Sequence, residues 1–230
     1  GRCLLSKFLT GRDANRGDCA QPCRWQYSLV EQKRPGELFD IIEDSEGTCI
    51  LNAKDLCMIE HIGEMAAAGI ASLKIEGRGK SFYYCAVVTN AYRAALDAWA
   101  AGATKPPAWA VEELYKISRR PYCTGFYFDR PQNEAAVCFE GGYQRGWEVC
   151  AVVQAFKNGR LYLTQRNRFS NGETLELLQP GTMPIPFKAS GMKDGNGCEI
   201  DACPHPMMCF SIAFNQAAQQ GSLLRRQLVN

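Results

Sequence analysis

Ala71-Ser72-Leu73-Lys74-Ile75 runs straight into Glu76-Gly77-Arg78-Gly79-Lys80, an apolar stretch that breaks into glycine and charge just before a long segment of helical periodicity at 82–101. The first five residues read as a strand, the next five as a loop and the rest as an amphipathic helix. Upstream, 48–51 reads as another strand and 56–68 as another helix. The resulting βαβα run suits a parallel sheet covered by helices. Two such units are too few to close a barrel or a layered sheet, and the chain opens on Gly1-Arg2-Cys3 without a start methionine. An upstream part of the domain is therefore expected.

Outward from this run the pattern changes twice. Residues 1–24 lack sustained periodicity and predict an irregular loop with one helical turn near 4–9, while 25–30 and 38–43 read as a hairpin joined through Lys33-Arg34-Pro35-Gly36. Lys105-Pro106-Pro107 ends the long helix and begins a linker, with a short helix at 111–119. Beyond Cys123 the signals are nearly all β, at 138–143, 148–156, 160–165, 174–178, 185–190 and 208–214. Asn158-Gly159, Asn171-Gly172 and Asn196-Gly197 punctuate them. The expected organisation is α/β plus all-β: an α/β part over 1–104, a linker with a short helix over 105–122, and a small antiparallel β-barrel over 123–230.

With 230 residues, 46% hydrophobic and 22% charged, the chain can bury a proper core. No apolar run is long enough to span a membrane and the first residues do not read as a signal peptide, which points to the cytoplasm. The twelve cysteines are then mostly reduced thiols rather than a disulfide framework. The net charge of +2 selects no partner, but residues 1–36 hold seven Lys/Arg against three acids. Arg12, Arg16 and Arg24 belong to this basic arm, which either meets phosphates or is a solvated surface.

Two constellations carry possible chemistry. Cys3, Cys19 and Cys23 lie in a Gly/Arg-rich loop where three thiolates can converge on one soft metal centre, one ligand short of a full set; three unrelated thiols is the alternative. The second is Lys74, Glu76, Arg78 and Lys80 at the C-terminal end of the predicted strand, the edge at which parallel α/β folds bind ligands. Arg78 can grip a carboxylate or phosphate in a fork and Glu76 can act as base or orienter. Lys54 and Asp55 take the same position after the preceding strand, where Asp55 either caps a helix or joins the chemistry. His61 and His205 form no zinc-protease pattern, and no G-x-S-x-G, Walker or Rossmann motif is present. Cys198, Cys203 and Cys209 read first as thiols of a strand-edge loop.

Six stretches, Gly-Arg-Cys-Leu-Leu-Ser (1–6), Arg-Asp-Ala-Asn-Arg-Gly-Asp-Cys (12–19), Gln-Pro-Cys-Arg-Trp (21–25), Asn-Ala-Lys-Asp-Leu (52–56), Ser-Leu-Lys-Ile-Glu-Gly-Arg (72–78) and Ser-Phe-Tyr-Tyr-Cys-Ala (81–86), closely resemble the collagenase-like peptidase family of unknown catalytic type. Within it the chain looks most like the tRNA hydroxylation branch. The resemblance implies a TIM-barrel-type catalytic domain, of which this chain holds the C-terminal fragment, followed by a small β-barrel domain. It also implies a 4Fe-4S cluster on Cys3, Cys19 and Cys23 with a fourth cysteine upstream, and hydroxylation of the tRNA wobble uridine at carbon five with prephenate as hydroxyl source. Two other readings stand beside it: a peptidase, as the family name says, and an RNA-binding accessory module.

Overall fold

The computed structural model describes residues 3–25, 42–44, 47–49, 54–128 and 144–228. They fall into two compact units, residues 1–57 with 120–143, and residues 58–119 with 144–230.

In the first unit, helix α1 (Leu4–Thr10) is stopped by Gly11, whose φ of 75° is open to glycine and strained for other residues. Ser6, fully buried, ties the following loop back onto the helix: its hydroxyl donates to the Arg12 carbonyl at 3.3 Å and accepts the Ala20 N–H at 3.0 Å. Short 3-10 turns follow at Ala14–Arg16 and Pro22–Arg24. Strands β1 (Ile42–Asp44) and β2 (Gly47–Cys49) pair antiparallel. The strand expected at 48–51 thus begins as one arm of a tight hairpin, and most of the hairpin expected over 25–43 lies outside the described residues. A parallel pair, β3 (Asp55–Leu56) and β4 (Tyr122–Cys123), completes the unit.

The second unit begins with a 3-10 turn at Ile59–His61 and helix α2 (Ile62–Ala67), so the helix expected over 56–68 starts later, Leu56 being spent on β3. Helix α3 (Phe82–Ala100) starts at Ser81, whose hydroxyl accepts the Tyr84 N–H at 3.2 Å. The Tyr92 hydroxyl of α3 accepts the Met58 N–H at 3.0 Å, tying the residue just before the 3-10 turn to the long helix. Residues 71–75 form no strand: no strand among the described residues lies beside them to supply a ladder, and Leu73 and Ile75 stay exposed. Helix α4 (Ala108–Glu113) sits earlier than the 111–119 expected.

Seven antiparallel strands make the sheet: β5 (Trp147–Lys157), β6 (Arg160–Gln165), β7 (Thr174–Leu178), β8 (Ile185–Lys188), β9 (Lys193–Asp194), β10 (Cys209–Ala213) and β11 (Leu223–Gln227), in the order β8-β7-β11-β5-β6-β10-β9. It curls about a core that includes Phe169, Phe210, Leu161, Leu177 and Leu224. The first and last strands of that order do not pair, so the expected barrel is a half-barrel with β8 and β9 as its edges. Asn158 and Gly159, at φ 50° and 72°, form the two-residue turn between β5 and β6 that the Asn-Gly pair predicts. Residues 138–143 lie outside the described set.

The sheet's hub is β11, Leu-Leu-Arg-Arg-Gln, which pairs with both β5 and β7. A register shift between Leu224 and Arg225 lets both side chains be fully buried, Leu224 in the core and Arg225 among polar groups. The Arg225 guanidinium bonds Glu113 at 2.6 Å, Glu176 at 2.6 Å and the Tyr83 hydroxyl at 3.1 Å, while Lys116 reaches both carboxylates. Trp147 lies 5.0 Å from the guanidinium and 4.6 Å from the Lys116 ammonium. One carboxylate oxygen of Glu113 keeps no partner.

Candidate functional site

Lys74, Glu76, Arg78 and Lys80 occupy one turn that feeds the start of α3. The Glu76 carboxylate accepts the Arg78 N–H at 2.8 Å and stands 4.0 Å from the Lys74 ammonium. Lys80 closes the turn by donating its N–H to the Gly77 carbonyl at 2.9 Å, and its ammonium lies 5.3 Å from the Tyr84 ring. Tyr84 in turn donates its hydroxyl to the Glu76 carbonyl at 3.3 Å. Gly79 adopts φ 76°, and a Cβ on Gly77 would come within 3.0 Å of the Cys85 sulfur. Glycine is thus favoured at 79 by its backbone angle, while at 77 a side chain would require the Cys85 sulfur to move by a few tenths of an ångström.

The turn is open to solvent, and its electrostatics are set locally. The Arg78 N–H, helped by the charges of Lys74 and Arg78, holds the Glu76 carboxyl below the usual glutamate range. Glu76 is therefore an anion and an acceptor at neutral pH, suited to orient a cation or hydroxyl and poorly suited to give up a proton. Exposed Arg78 places a permanent positive charge beside it.

In the other unit, Cys3 caps the start of α1, and Cys19 and Cys23 are exposed on the loop that Ser6 ties back. Gln21 takes a left-handed φ of 53°, which turns its N–H onto the Cys19 sulfur at 3.4 Å. N–H bonds to cysteine sulfur are among the contacts that tune iron–sulfur clusters. In donor type these residues fit three of the four ligands of a 4Fe-4S cluster. In arrangement they do not yet form one, since among the described residues no three His, Cys, Asp or Glu side chains are gathered to hold a metal ion. Arg12 lies 3.9 Å from Asp18, and Arg16 and Arg24 end the two 3-10 turns, all three exposed.

Asp55 lies on β3 rather than at a helix cap. Its carboxylate takes Nε and Nη2 of Arg120 at 2.9 and 2.8 Å and the Arg120 N–H at 2.9 Å, fastening β3 to the chain entering β4. Lys54 precedes it, half-buried, and Asn52 and Ala53 lie outside the described residues. Sequence reasoning missed Arg120 and the part Tyr84 plays in this turn. Only Tyr84 had a local signal, three residues after the capping Ser81. Elsewhere, burial pushes the Cys150 thiol up to about 12 and raises that of Cys203, so neither supplies a thiolate nucleophile. No described helix is long and apolar enough to cross a membrane.

The tRNA hydroxylation protein P1 of Bacillus subtilis is 32% identical to this chain over 231 aligned positions, 98% of this chain and 54% of the relative. The tRNA hydroxylation protein P of Escherichia coli is 34% identical, over 89% of this chain and 54% of the relative. A protein named collagenase from Porphyromonas gingivalis is 34% identical over 58% of this chain and 32% of its own length. The chain spans about half the length of the tRNA hydroxylation relatives it matches. Peptidase family U32 matches residues 1–136 and its C-terminal domain matches 145–225, so the chain belongs to peptidase family U32.

Proposed function

We propose that the chain is the C-terminal portion of an enzyme that hydroxylates tRNA, with the wobble uridine as its target and prephenate as the hydroxyl source. The observation that carries this reading is the match, along nearly the whole chain, to relatives named for tRNA hydroxylation. In the full enzyme residues 1–104 would complete a TIM-type barrel, 105–122 would link it onward and 123–230 would form the β-domain. Support for a larger barrel comes from residues 71–75, which have no ladder partner among the described residues and leave Leu73 and Ile75 exposed, and from Leu4 and Phe8 of α1, left 79% and 86% exposed.

Arg78 grips an anion, either a carboxylate of the small substrate or an RNA phosphate, through its two-pronged guanidinium. Glu76, ionised and fixed by the Arg78 N–H, orients the group that Arg78 holds, and Lys74 and Lys80 add positive charge around it. Arg12, Arg16, Arg24 and Lys54 meet tRNA phosphates, and Asp55 keeps β3 in register through Arg120. Cys3, Cys19 and Cys23 are three of four ligands for a 4Fe-4S cluster, which when bound supplies one-electron redox chemistry.

The test is the nucleoside composition of tRNA from a strain lacking the gene. Loss of the hydroxylated wobble uridine, restored by the wild-type gene, supports the reading; unchanged tRNA sinks it. The relative named collagenase favours a second reading, proteolysis. Cleavage of collagen or casein by the purified full-length protein, with tRNA unaltered in the deletion strain, would establish that reading instead.

A further inference from the structure

The ion pairs of the half-barrel leave its surface with unbalanced charge. Residues 144–228 hold nine Lys/Arg and six Asp/Glu. Three of those acids, Glu148, Glu173 and Glu176, are committed to two of the cations, Arg225 and Arg226. Seven cations then remain against three carboxylates, and none of the seven forms an ion pair among the described residues.

Three of the seven share one face of the sheet. Lys157 ends β5 and Arg160 begins β6 directly opposite it, so the Asn158-Gly159 turn sets two like charges side by side. Such a pair is destabilising, and no carboxylate relieves it. Residues two apart on a strand point to the same side, which puts Tyr162 next to Arg160. Ser211 of β10 lies opposite Tyr162, and Lys193 of β9 lies opposite Ser211. Glu199 stands across from Lys193 on its far side without pairing with it.

Arg160 is held in place without being neutralised. Its Nε and Nη2 both donate to the Ser211 hydroxyl at 3.1 Å, and Nη2 also reaches the Ser211 carbonyl at 3.2 Å and the Gly191 carbonyl at 2.5 Å. All of these acceptors are neutral, and Nη1 has no acceptor among the described residues. A guanidinium anchored on one side with N–H groups left over is preorganised for an anion. Beside it the Tyr162 ring, on an interior strand of the sheet, is 42% exposed.

We propose that this face of β5, β6, β10 and β9 binds a single-stranded segment of RNA, with phosphates on Lys157, Arg160 and Lys193 and a base stacked on Tyr162. The choice of RNA among polyanions rests on the tRNA hydroxylation reading. The contact is additional to the Glu76–Arg78 turn and to the arginines of the cysteine loop, and gives the C-terminal domain a part in holding the substrate.

Fluorescence anisotropy of a labelled tRNA transcript, titrated with the full chain at several salt concentrations, tests this face. Lys157→Ala should weaken binding several-fold and reduce the slope of log Kd against log salt by about one. Tyr162→Ala should weaken binding about tenfold with the salt slope unchanged, and Tyr162→Phe, which keeps the ring, should bind like wild type. Arg145→Ala removes an exposed cation just before the opposite end of β5 and should change binding by less than about twofold. Wild-type affinity in both Lys157→Ala and Tyr162→Ala overturns the proposal, and so does a loss in Arg145→Ala equal to that in Lys157→Ala. The hydroxylation reading is decided separately by tRNA nucleosides of the deletion strain, so their loss together with unaltered binding by the variants would sink this face alone. Binding of wild type to phosphatidylglycerol vesicles but not to tRNA would give the face to a membrane and overturn the RNA assignment. Should Tyr162→Ala fail to fold by circular dichroism, the salt slope of Lys157→Ala against Arg145→Ala still decides.

Discussion

In the turn that carries Glu76, a carboxylate in open solvent takes its hydrogen bond from an N–H two residues along the chain. At Arg225 a guanidinium with no solvent exposure takes carboxylates 112 and 49 residues away, Glu113 and Glu176, and a phenol 142 residues away, Tyr83. Both clusters are built of carboxylates and cations. The first is exposed to solvent and contributes little to stability, whereas the second has its charges desolvated and committed to one another. A local cluster can therefore be recognised from adjacent letters, and a distant one exists only once the chain has folded.

The sharpest way to break this comparison is Arg225→Met, which leaves Glu113 and Glu176 to share the single cation of Lys116 at a buried site. It should lower stability by about 3–5 kcal/mol in chemical denaturation. Adding Glu113→Gln should restore part of the loss, because the second change removes the charge left unpaired. A small effect of Arg225→Met alone would mean that the cluster is not a desolvated ion network.

The same cluster predicts an alkaline limit. Burial, opposed by the neighbouring Arg225 charge, pushes the Tyr83 phenol up to about 12. The folded state then holds this proton more tightly than the unfolded chain, whose tyrosines titrate near ~10. The stability it contributes is fully present below the unfolded value and is lost as pH rises through the folded one, in total about 2–3 kcal/mol. Denaturation measured between these pH values should show the fall, and Tyr83→Phe should flatten it. An equally steep fall in the variant would assign the loss to other groups.

Asp55→Asn sits between the extremes, since the side chains of Asp55 and Arg120 are 19% and 25% exposed. Weakening this fork should cost about 1–2 kcal/mol by thermal denaturation, and a neutral result would make the fork a surface pair. Arg78→Lys marks the small end. It should leave stability within about 0.5 kcal/mol and leave iron content unchanged, yet sharply reduce tRNA hydroxylation, because an ammonium cannot reproduce a two-pronged contact. Normal hydroxylation by the Lys variant would remove Arg78 from the site.

What the sequence made legible follows the same division. Helix α3 was readable from periodicity, β6 and β7 from alternation and the β5–β6 turn from Asn158-Gly159, all of them local patterns. Strand β11 was not, because Leu-Leu-Arg-Arg-Gln breaks the alternation of a central strand. Glu113 and Glu176 around Arg225, together with the Tyr83 hydroxyl, and Glu148 and Glu173 around Arg226 make it tolerable in the middle of a sheet. Residues 71–75 misled in the opposite sense: their apolar spacing describes a strand, but a strand also requires a neighbour. At the candidate site, Glu76 and Arg78 stood out as near neighbours in the sequence, while Arg120 acquires meaning only through its contact with Asp55, 65 residues away.

The half-barrel's two rims bear on how the protein behaves in a crowded solution. A sheet that does not close offers unpaired amides to any passing strand, which invites aggregation. Here one rim is β8, Ile-Pro-Phe-Lys, in which Pro186 has no amide hydrogen to offer and Lys188 carries charge; the other is β9, Lys-Asp, only two residues long. Neither makes a good template for strand addition. The open architecture is thereby guarded against self-association, and a macromolecular partner gains more from the protein's side-chain surfaces than from extending its sheet.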